Sequence, residues 1–484
     1  MEGNSTKNKV FSGIFWKFGE RLLAQGISFV VSIVLARLLM PKDYGIVAMV
    51  IVFITLADVF VSSGFGTALI QKKDADDTDF STIFYCSMVV SVVIYLILFF
   101  AAPLVASFYK TPALVLVLRV FSLKIPISAY NSIQHAYVSR HMIFKRFFFS
   151  TLFGTLLSGV VGIVMALAGF GVWALIGQYL TNSVVDCLVL AFTIPWHPQC
   201  KFSWTSAKAL MSYGWKVLAA DLTGTFFDQL RSLIIGKIYT KADLAYYNKG
   251  KQIPTMLSDN ISTTVMTVLF PAISNEGNDL VRVKQMIRRA VRVMAYLIFP
   301  LMAGCIVVAR PLILLLLTSK WQDSIIFMQL LCIQSGIGII GKTSLQSIKA
   351  IGRSDTLLKL EMYKKPVYIL LLVVGAYFSV LGIAITSVIY AFYGVGVNGN
   401  ALKKLIDYSL WEQIKDVLQA LFLSLIMCGA AWVITFFNLS NIFTLCLQVF
   451  VGAGVYIGLS KLLKVESYLY IEDYLLSKLK RKKA

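Results

Sequence analysis

Sixteen ionisable side chains lie inside stretches that are otherwise apolar: the bases Lys17, Arg21, Arg119, Lys124, Lys216, Arg231, Lys342, Lys364 and Lys365, and the acids Glu20, Asp58, Asp186, Asp221, Asp228, Asp259 and Glu361. Fixed cations of this kind hold anions, and carboxylates hold protons, cations or hydroxyl groups. Moving a charge into hydrocarbon costs several kcal/mol at least, so such residues almost always face a bundle interior or a wet cavity. Their spacing agrees. Lys17, Arg21, Gln25, Ser28 and Ser32 recur at helical intervals and share one face. Asp221, Thr225, Asp228 and Ser232 do the same, with Arg231 beside them. Each residue also has a structural reading. Lys17, Arg21 and Lys216 can snorkel to headgroups, Lys364 and Lys365 can be interfacial, and Glu20 with Lys17 or Asp228 with Arg231 can form local ion pairs.

The elements that position these groups are membrane-spanning helices. From Val417 to Ser460 there is no Asp, Glu, Lys or Arg. As a single helix this run would extend about 66 Å, roughly twice a hydrocarbon core, so it must fold back on itself, with a turn at Asn438–Asn441. Two further charge-free runs, Phe147–Val185 and Pro366–Leu402, read as hairpins turning at Gly169-Phe170-Gly171 and near Ser379–Gly382. Overall 58% of residues are hydrophobic and 14% charged, and the mean hydropathy is +0.77. A water-soluble globule of this size does not have such values. Hydropathy windows predict about fourteen transmembrane helices, an all-α polytopic membrane protein.

Placing basic residues on alternating sides puts 27 on one side and nine on the other, which predicts that both termini are cytoplasmic. The nine outer cations are Arg37, Lys42, Lys110, Lys237, Lys241, Lys249, Lys251, Arg310 and Lys320. The net charge of +21 is then mostly a topology signal, and nucleic-acid binding is not needed to explain it. The seven cysteines lie mainly in apolar runs without a C-x-x-C pair and read as buried small hydrophobes. The polar N-terminus runs directly into a span too long for a cleavable signal. His135, His141 and His197 fall at or near expected loops, no H-E-x-x-H or Cys/His cluster occurs, and no metal site is expected. A G-x-x-x-x-G-K-[ST] motif is also missing, so any driving force would be an ion gradient, the membrane potential or product consumption.

An internal repeat organises the chain. Trp16-Lys17 is echoed by Trp215-Lys216, Asp43-Tyr44 by Asp243 with Tyr246-Tyr247 just after, and Asp58 by Asp259, at offsets of 199, 200 and 201. Six spans separate the copies, so the halves point the same way and are expected to be related by a pseudo-two-fold axis along the membrane normal. The expected division is residues 1–200 for a first six-helix lobe, 201–410 for a second, 411–465 for two additional helices, and 466–484 for a basic cytoplasmic tail. Pro126, Pro254 and Gly224 interrupt spans and are candidate hinges or static kinks.

The run Ala36–Gly45, then Asp58 and Gly64–Gln71, followed by Phe170–Leu175, Ser212–Trp215, Ile234–Gly236, Ala245–Tyr247, Phe270-Pro271, Pro300-Leu301, Trp321 and Ile351–Arg353, resembles the polysaccharide-exporter branch of the multidrug/oligosaccharidyl-lipid/polysaccharide (MOP) flippase superfamily. The likeness is strongest to Wzx-type exporters of lipopolysaccharide, colanic acid and teichuronic acid. It implies a MATE/MOP-like fold of two lobes around a central cavity plus two C-terminal helices, in a transporter rather than an enzyme. The implied activity is flipping of a polyprenyl-pyrophosphate-linked oligosaccharide repeat unit across the bacterial cytoplasmic membrane by alternating access, for O-antigen, capsule or exopolysaccharide assembly. Lys17, Arg21, Lys216 and Arg231 are then the expected pyrophosphate ligands, with Arg119 and Lys124 as second choices. Gln25, Asp58, Asp221, Asp228 and Asp259 would set the polarity of the cavity or carry a coupling H+ or Na+. Expected partners are the lipid-linked oligosaccharide, membrane lipids and a polysaccharide polymerase, with a functional monomer. An organic-cation antiporter or a lipid II flippase on the same fold are the alternatives. A membrane glycan polymerase or ligase fits poorly, because the outer loops are short.

Overall fold

The computed structural model describes residues 19, 23–62, 66, 69–70, 72, 75–276, 279–437, 439–469 and 472. Among them every regular element is a helix. In chain order these are α1 (Leu23–Leu38), α2 (Pro41–Ser62), α3 (Asp77–Phe108), α4 (Leu114–Phe121), α5 (Lys124–Arg140), α6 (Phe144–Leu167), α7 (Val172–Thr193) and α8 (Trp204–Ile238). They are followed by α9 (Lys241–Asn275), α10 (Leu280–Leu317), α11 (Ser324–Ala350), α12 (Ser354–Phe378), α13 (Val380–Ile406), α14 (Leu410–Val433) and α15 (Asn441–Leu462).

Ten of the described segments are long and apolar enough to cross a membrane, counting α4 with α5 as one. The other four expected spans differ in identifiable ways. The described part of α1 is shorter, while α8, α9 and α12 are long but interrupted by charges such as Asp221, Asp259 and Glu361. Large apolar side chains point outward along the apolar segments, with Phe100 71% and Phe450 76% exposed. Lipid is the solvent that such surfaces require.

Local sequence explains where the helices start and stop. Asp76 and Asp79 form a capping box at the start of α3, and Ser409 with Glu412 forms another at α14. Both glycines of the α6–α7 turn lie in the left-handed region, Gly169 at φ 81° and Gly171 at φ 54°, where a side chain would be strained. Ser379 caps α13 at the second hairpin by accepting from Gly382 N at 3.0 Å. The Val417–Ser460 run folds back through a short 3-10 turn, Ile434–Phe437, and of the expected turn residues Asn438 lies outside the described set. Pro126 has no N–H to give the Ser122 carbonyl, and the fourth span breaks there into α4 and α5. That break places Lys124 in the first turn of a new helix.

The chain divides into two compact units, Met1–Ala245 and Tyr246–Ala484. The first contains all the described helices expected in the first lobe, and α8 packs there too, against α2. At one end of this unit Leu69, Phe80, Ile133, Leu190 and Trp196 form a buried core. Lys72 and Arg140, from the more basic side of the charge count, lie at the same end, where the Arg140 guanidinium donates to the Leu69 carbonyl at 2.9 Å. At the opposite end the α1–α2 and α8–α9 turns meet so closely that a Cβ on Gly45 would lie 1.9 Å from the Lys241 carbonyl oxygen.

In the second unit α10 is the central packing element, touching α11, α14 and α15. An ion-pair network pins α14 to it. The Asp416 carboxylate, 3% exposed, takes two hydrogen bonds from Arg288 at 2.8 and 2.9 Å, one from Arg292 Nε at 2.9 Å and one from Tyr408 at 2.9 Å. Arg292 also pairs with Glu466 at 2.5 Å, which draws the segment after α15 to the same point. Removing the buried carboxylate deletes its charge-assisted hydrogen bonds to two partly exposed arginines, which costs about 1.5–3 kcal/mol. Asp416→Ala should therefore lower the thermal midpoint of the purified protein and expose the α14–α15 pair to limited proteolysis. An unchanged melting curve would show that the network does not hold these helices.

Candidate functional site

Among the described residues, each unit contains one lysine–aspartate pair reaching between helices that are not neighbours in sequence. In the first, Lys124 Nζ of α5 donates to Asp58 Oδ2 of α2, with the side chains 24% and 22% exposed. Asp58 Oδ1 is buried with no hydrogen-bond partner among the described residues. In the second, Lys342 Nζ of α11 lies 2.7 Å from Asp259 Oδ1 of α9, and both side chains are about half exposed. The Asp259–Lys342 pair lies on the wall of a cavity of about 760 Å³, together with Ser262, Thr263, Thr267 and Gln346. Hydroxyl and amide groups around an ion pair are what a polar ligand needs.

The two pairs join corresponding helices of the repeat, the second and fourth of each half. The aspartates occupy nearly the same helical position, whereas Lys342 sits roughly two turns further along its helix than Lys124 does. The turns before α2 and α9 also correspond. Asp43 Oδ2 accepts from Met40 N at 3.2 Å, and Asp243 Oδ2 accepts from Thr240 N at 3.1 Å. The Asp43/Asp243 echo is thus a duplicated cap, and the Asp58/Asp259 echo is a duplicated ion-pair acceptor.

The remaining expected site residues are spread over several places. Lys17 and Arg21 lie outside the described residues. Gln25 is half-buried on α1. On α8, Lys216, Asp221 and Asp228 are exposed and Arg231 is half-buried, so the predicted stripe is a polar face of that helix. Arg119 turns away from Asp58. Its Nε donates to the Phe99 carbonyl at 3.2 Å and its guanidinium stacks 4.3 Å from the Phe99 ring centroid, which ties α4 to α3.

A polar cluster that the sequence reading did not assemble lies between α5 and α7. Asp186 Oδ2 accepts from Asn131 Nδ2 at 2.6 Å and meets His135 Nε2 at 3.1 Å, and Asp186 is largely buried. His135 lies in α5, five residues before its end. The available signal was the four-residue spacing of Asn131 and His135, which puts both on one face of α5. Lys342 was visible only as a lone cation, because its partner lies 83 residues away.

The first pair has a measurable consequence for stability. Either Lys124→Met or Asp58→Asn alone leaves the other group of a mostly buried pair without its counter-charge, whereas the double variant leaves neither charged. Thermal melts of the four proteins should show a coupling of about 1 kcal/mol or more, with the double variant less destabilised than the sum of the singles. Strict additivity would mean that the two groups do not interact in the folded state.

Residues 34–326, more than half of the chain, match the family described as polysaccharide biosynthesis protein. The succinoglycan biosynthesis transport protein ExoT of Rhizobium meliloti (strain 1021) is 23% identical over 348 residues, covering 72% of this chain and 70% of that protein. The lipopolysaccharide biosynthesis protein WzxC of Escherichia coli (strain K12) is 23% identical over 385 residues, covering 77% of this chain and 76% of its own. Among solved structures, lipid II flippase MurJ in an inward closed conformation shares the fold, with a TM-score of 0.75 at 17% identity over 94% of this chain and 98% of that one. With its apolar helices, paired charges in apolar segments and corresponding turns, the chain belongs to the polysaccharide biosynthesis protein family and has the fold seen in lipid II flippase MurJ.

Proposed function

We propose that this protein flips a polyprenyl-pyrophosphate-linked oligosaccharide repeat unit from the inner to the outer leaflet of a bacterial cytoplasmic membrane, by alternating access and with both termini cytoplasmic. The observation that carries the reading is the Lys342–Asp259 pair in a cavity whose wall mixes hydroxyls of Ser262, Thr263 and Thr267 with Met266 and Phe270, in a chain of the polysaccharide biosynthesis protein family. An ion pair this exposed contributes only about 0–1 kcal/mol. A pyrophosphate, with at least two negative charges, competes for Lys342 at little cost. The freed Asp259 then accepts hydrogen bonds from sugar hydroxyls or takes up a coupling proton or sodium ion. Asp58 and Lys124 form the equivalent exchange in the first unit. In the first unit Lys17, Arg21, Lys216 and Arg231 are the further cations that face the pyrophosphate, while the isoprenoid stays in lipid. The repeat unit is then delivered to a polymerase, and the transporter works as a monomer.

Reconstitution into vesicles with a lipid-linked oligosaccharide and a leaflet-specific glycan probe tests this directly. Wild-type protein should flip the substrate. Lys342→Met should slow flipping about tenfold or more, in line with the loss of one charge-assisted phosphate contact. Lys342→Arg should retain more activity than Lys342→Met. A wild-type protein that moves no polyprenyl substrate but exports organic cations would replace this reading with an antiporter.

A further inference from the structure

Four of the nine cations expected on the outer side of the membrane converge on one pocket. Lys42 at the start of α2, Lys110 after α3, and Lys237 and Lys241 around the α8–α9 turn line a cavity of about 610 Å³ in the first unit. A face that the topology leaves poor in positive charge has gathered nearly half of it in one place. Lys237 is already occupied, since its Nζ bonds the Phe108 carbonyl and sits 4.2 Å from that ring. Lys42, Lys110 and Lys241 make no ion pair with any described residue. The nearby acids are Asp43 and Asp243, and each is used as a helix cap. Among the described residues, then, these three ammonium groups have no salt-bridge partner, although the two capping carboxylates keep their charge.

The local backbone supports a built site. Lys110 has φ 51°, in the left-handed region that residues with a side chain rarely enter. It is held there by a tight turn in which Thr111 N donates to Ala106 O at 2.9 Å and Thr111 Oγ1 donates to Tyr109 O at 3.1 Å. Tyr109 also lines the pocket. It is 6% exposed, and its hydroxyl has no hydrogen-bond partner among the described residues.

We infer that this pocket binds a phosphate-bearing anion at the end of the first unit assigned by the charge count to the outer side. Lysine is suited to this role, because it offers a compact charge with three donors and requires no fixed ligand geometry. The pocket is lined by the start of α2, the turn after α3 and the α8–α9 turn, so an anion bridging Lys42, Lys110 and Lys241 ties those three segments together. Such a ligand favours whichever conformation keeps them adjacent, by its difference in affinity for the two states. The inference does not depend on which substrate is flipped, because any phosphate headgroup or free phosphate carries the same chemistry.

The test uses full-length protein in detergent or nanodiscs, with three probes: inorganic pyrophosphate, farnesyl diphosphate and phosphatidylglycerol nanodiscs. Saturable binding of at least one probe is expected, weakened about tenfold in Lys42→Gln/Lys110→Gln/Lys241→Gln and reduced by added salt. Preference for farnesyl diphosphate would identify a prenyl-linked carrier, preference for phosphatidylglycerol an ordinary lipid, and equal response to pyrophosphate a free anion; each supports the site. Lys110→Gly guards against misfolding, since it removes one charge while relieving the strained φ, and should melt no lower than wild type yet bind more weakly. Absence of saturable binding for all three probes, or binding unchanged in both variants, overturns the inference.

Discussion

A lysine or aspartate placed among lipid-facing helices must meet an opposite charge, a hydrogen-bond partner or water, because hydrocarbon offers none of these. Much of the internal arrangement of this protein answers that demand. Asp58 is met by Lys124, Asp186 by Asn131 and His135, and Asp259 by Lys342. Each contact joins helices distant in sequence, so the charges select which helices pack together as well as being accommodated by the packing. Asp416 does the same work at the end of α14, where two arginines and a tyrosine converge on one carboxylate.

The magnitudes separate these contacts into two kinds. Asp416 is almost fully buried and multiply bonded, so breaking it costs about 1.5–3 kcal/mol and the network is a fixed structural joint. Asp259 and Lys342 are about half exposed, so their attraction is screened and contributes little to stability. A weak pair beside a cavity with polar groups on its wall is easily exchanged for a ligand. The Asp58–Lys124 pair lies between these limits, being mostly buried but with one carboxylate oxygen unpartnered.

Duplication explains why the two pairs correspond. Both halves carry an aspartate that caps the turn before their second helix and a second aspartate deep in that helix. The lysine answering the deep aspartate comes from the fourth helix in each case but from different positions along it. The pairing does not need strict positional symmetry, because a long flexible lysine reaches its partner from more than one turn of a helix.

Spans and turns were legible in the sequence, because hydropathy, glycine conformation and proline geometry act over contiguous residues. The α6–α7 hairpin turns at Gly169 and Gly171, α13 begins from the cap Ser379, and Pro126 marks a break in the fourth span, each where residue type alone predicts an interruption. The aspartates at 58 and 259 also stood out, being charges in otherwise apolar helices. Only the tertiary structure decided what those charges meet. Which lysine reaches Asp259, whether Arg119 faces an acid or the Phe99 ring, and that His135 joins Asp186 depend on the rotation and crossing of helices dozens of residues apart. Those variables are set by side-chain packing between elements, and no local window of sequence contains them.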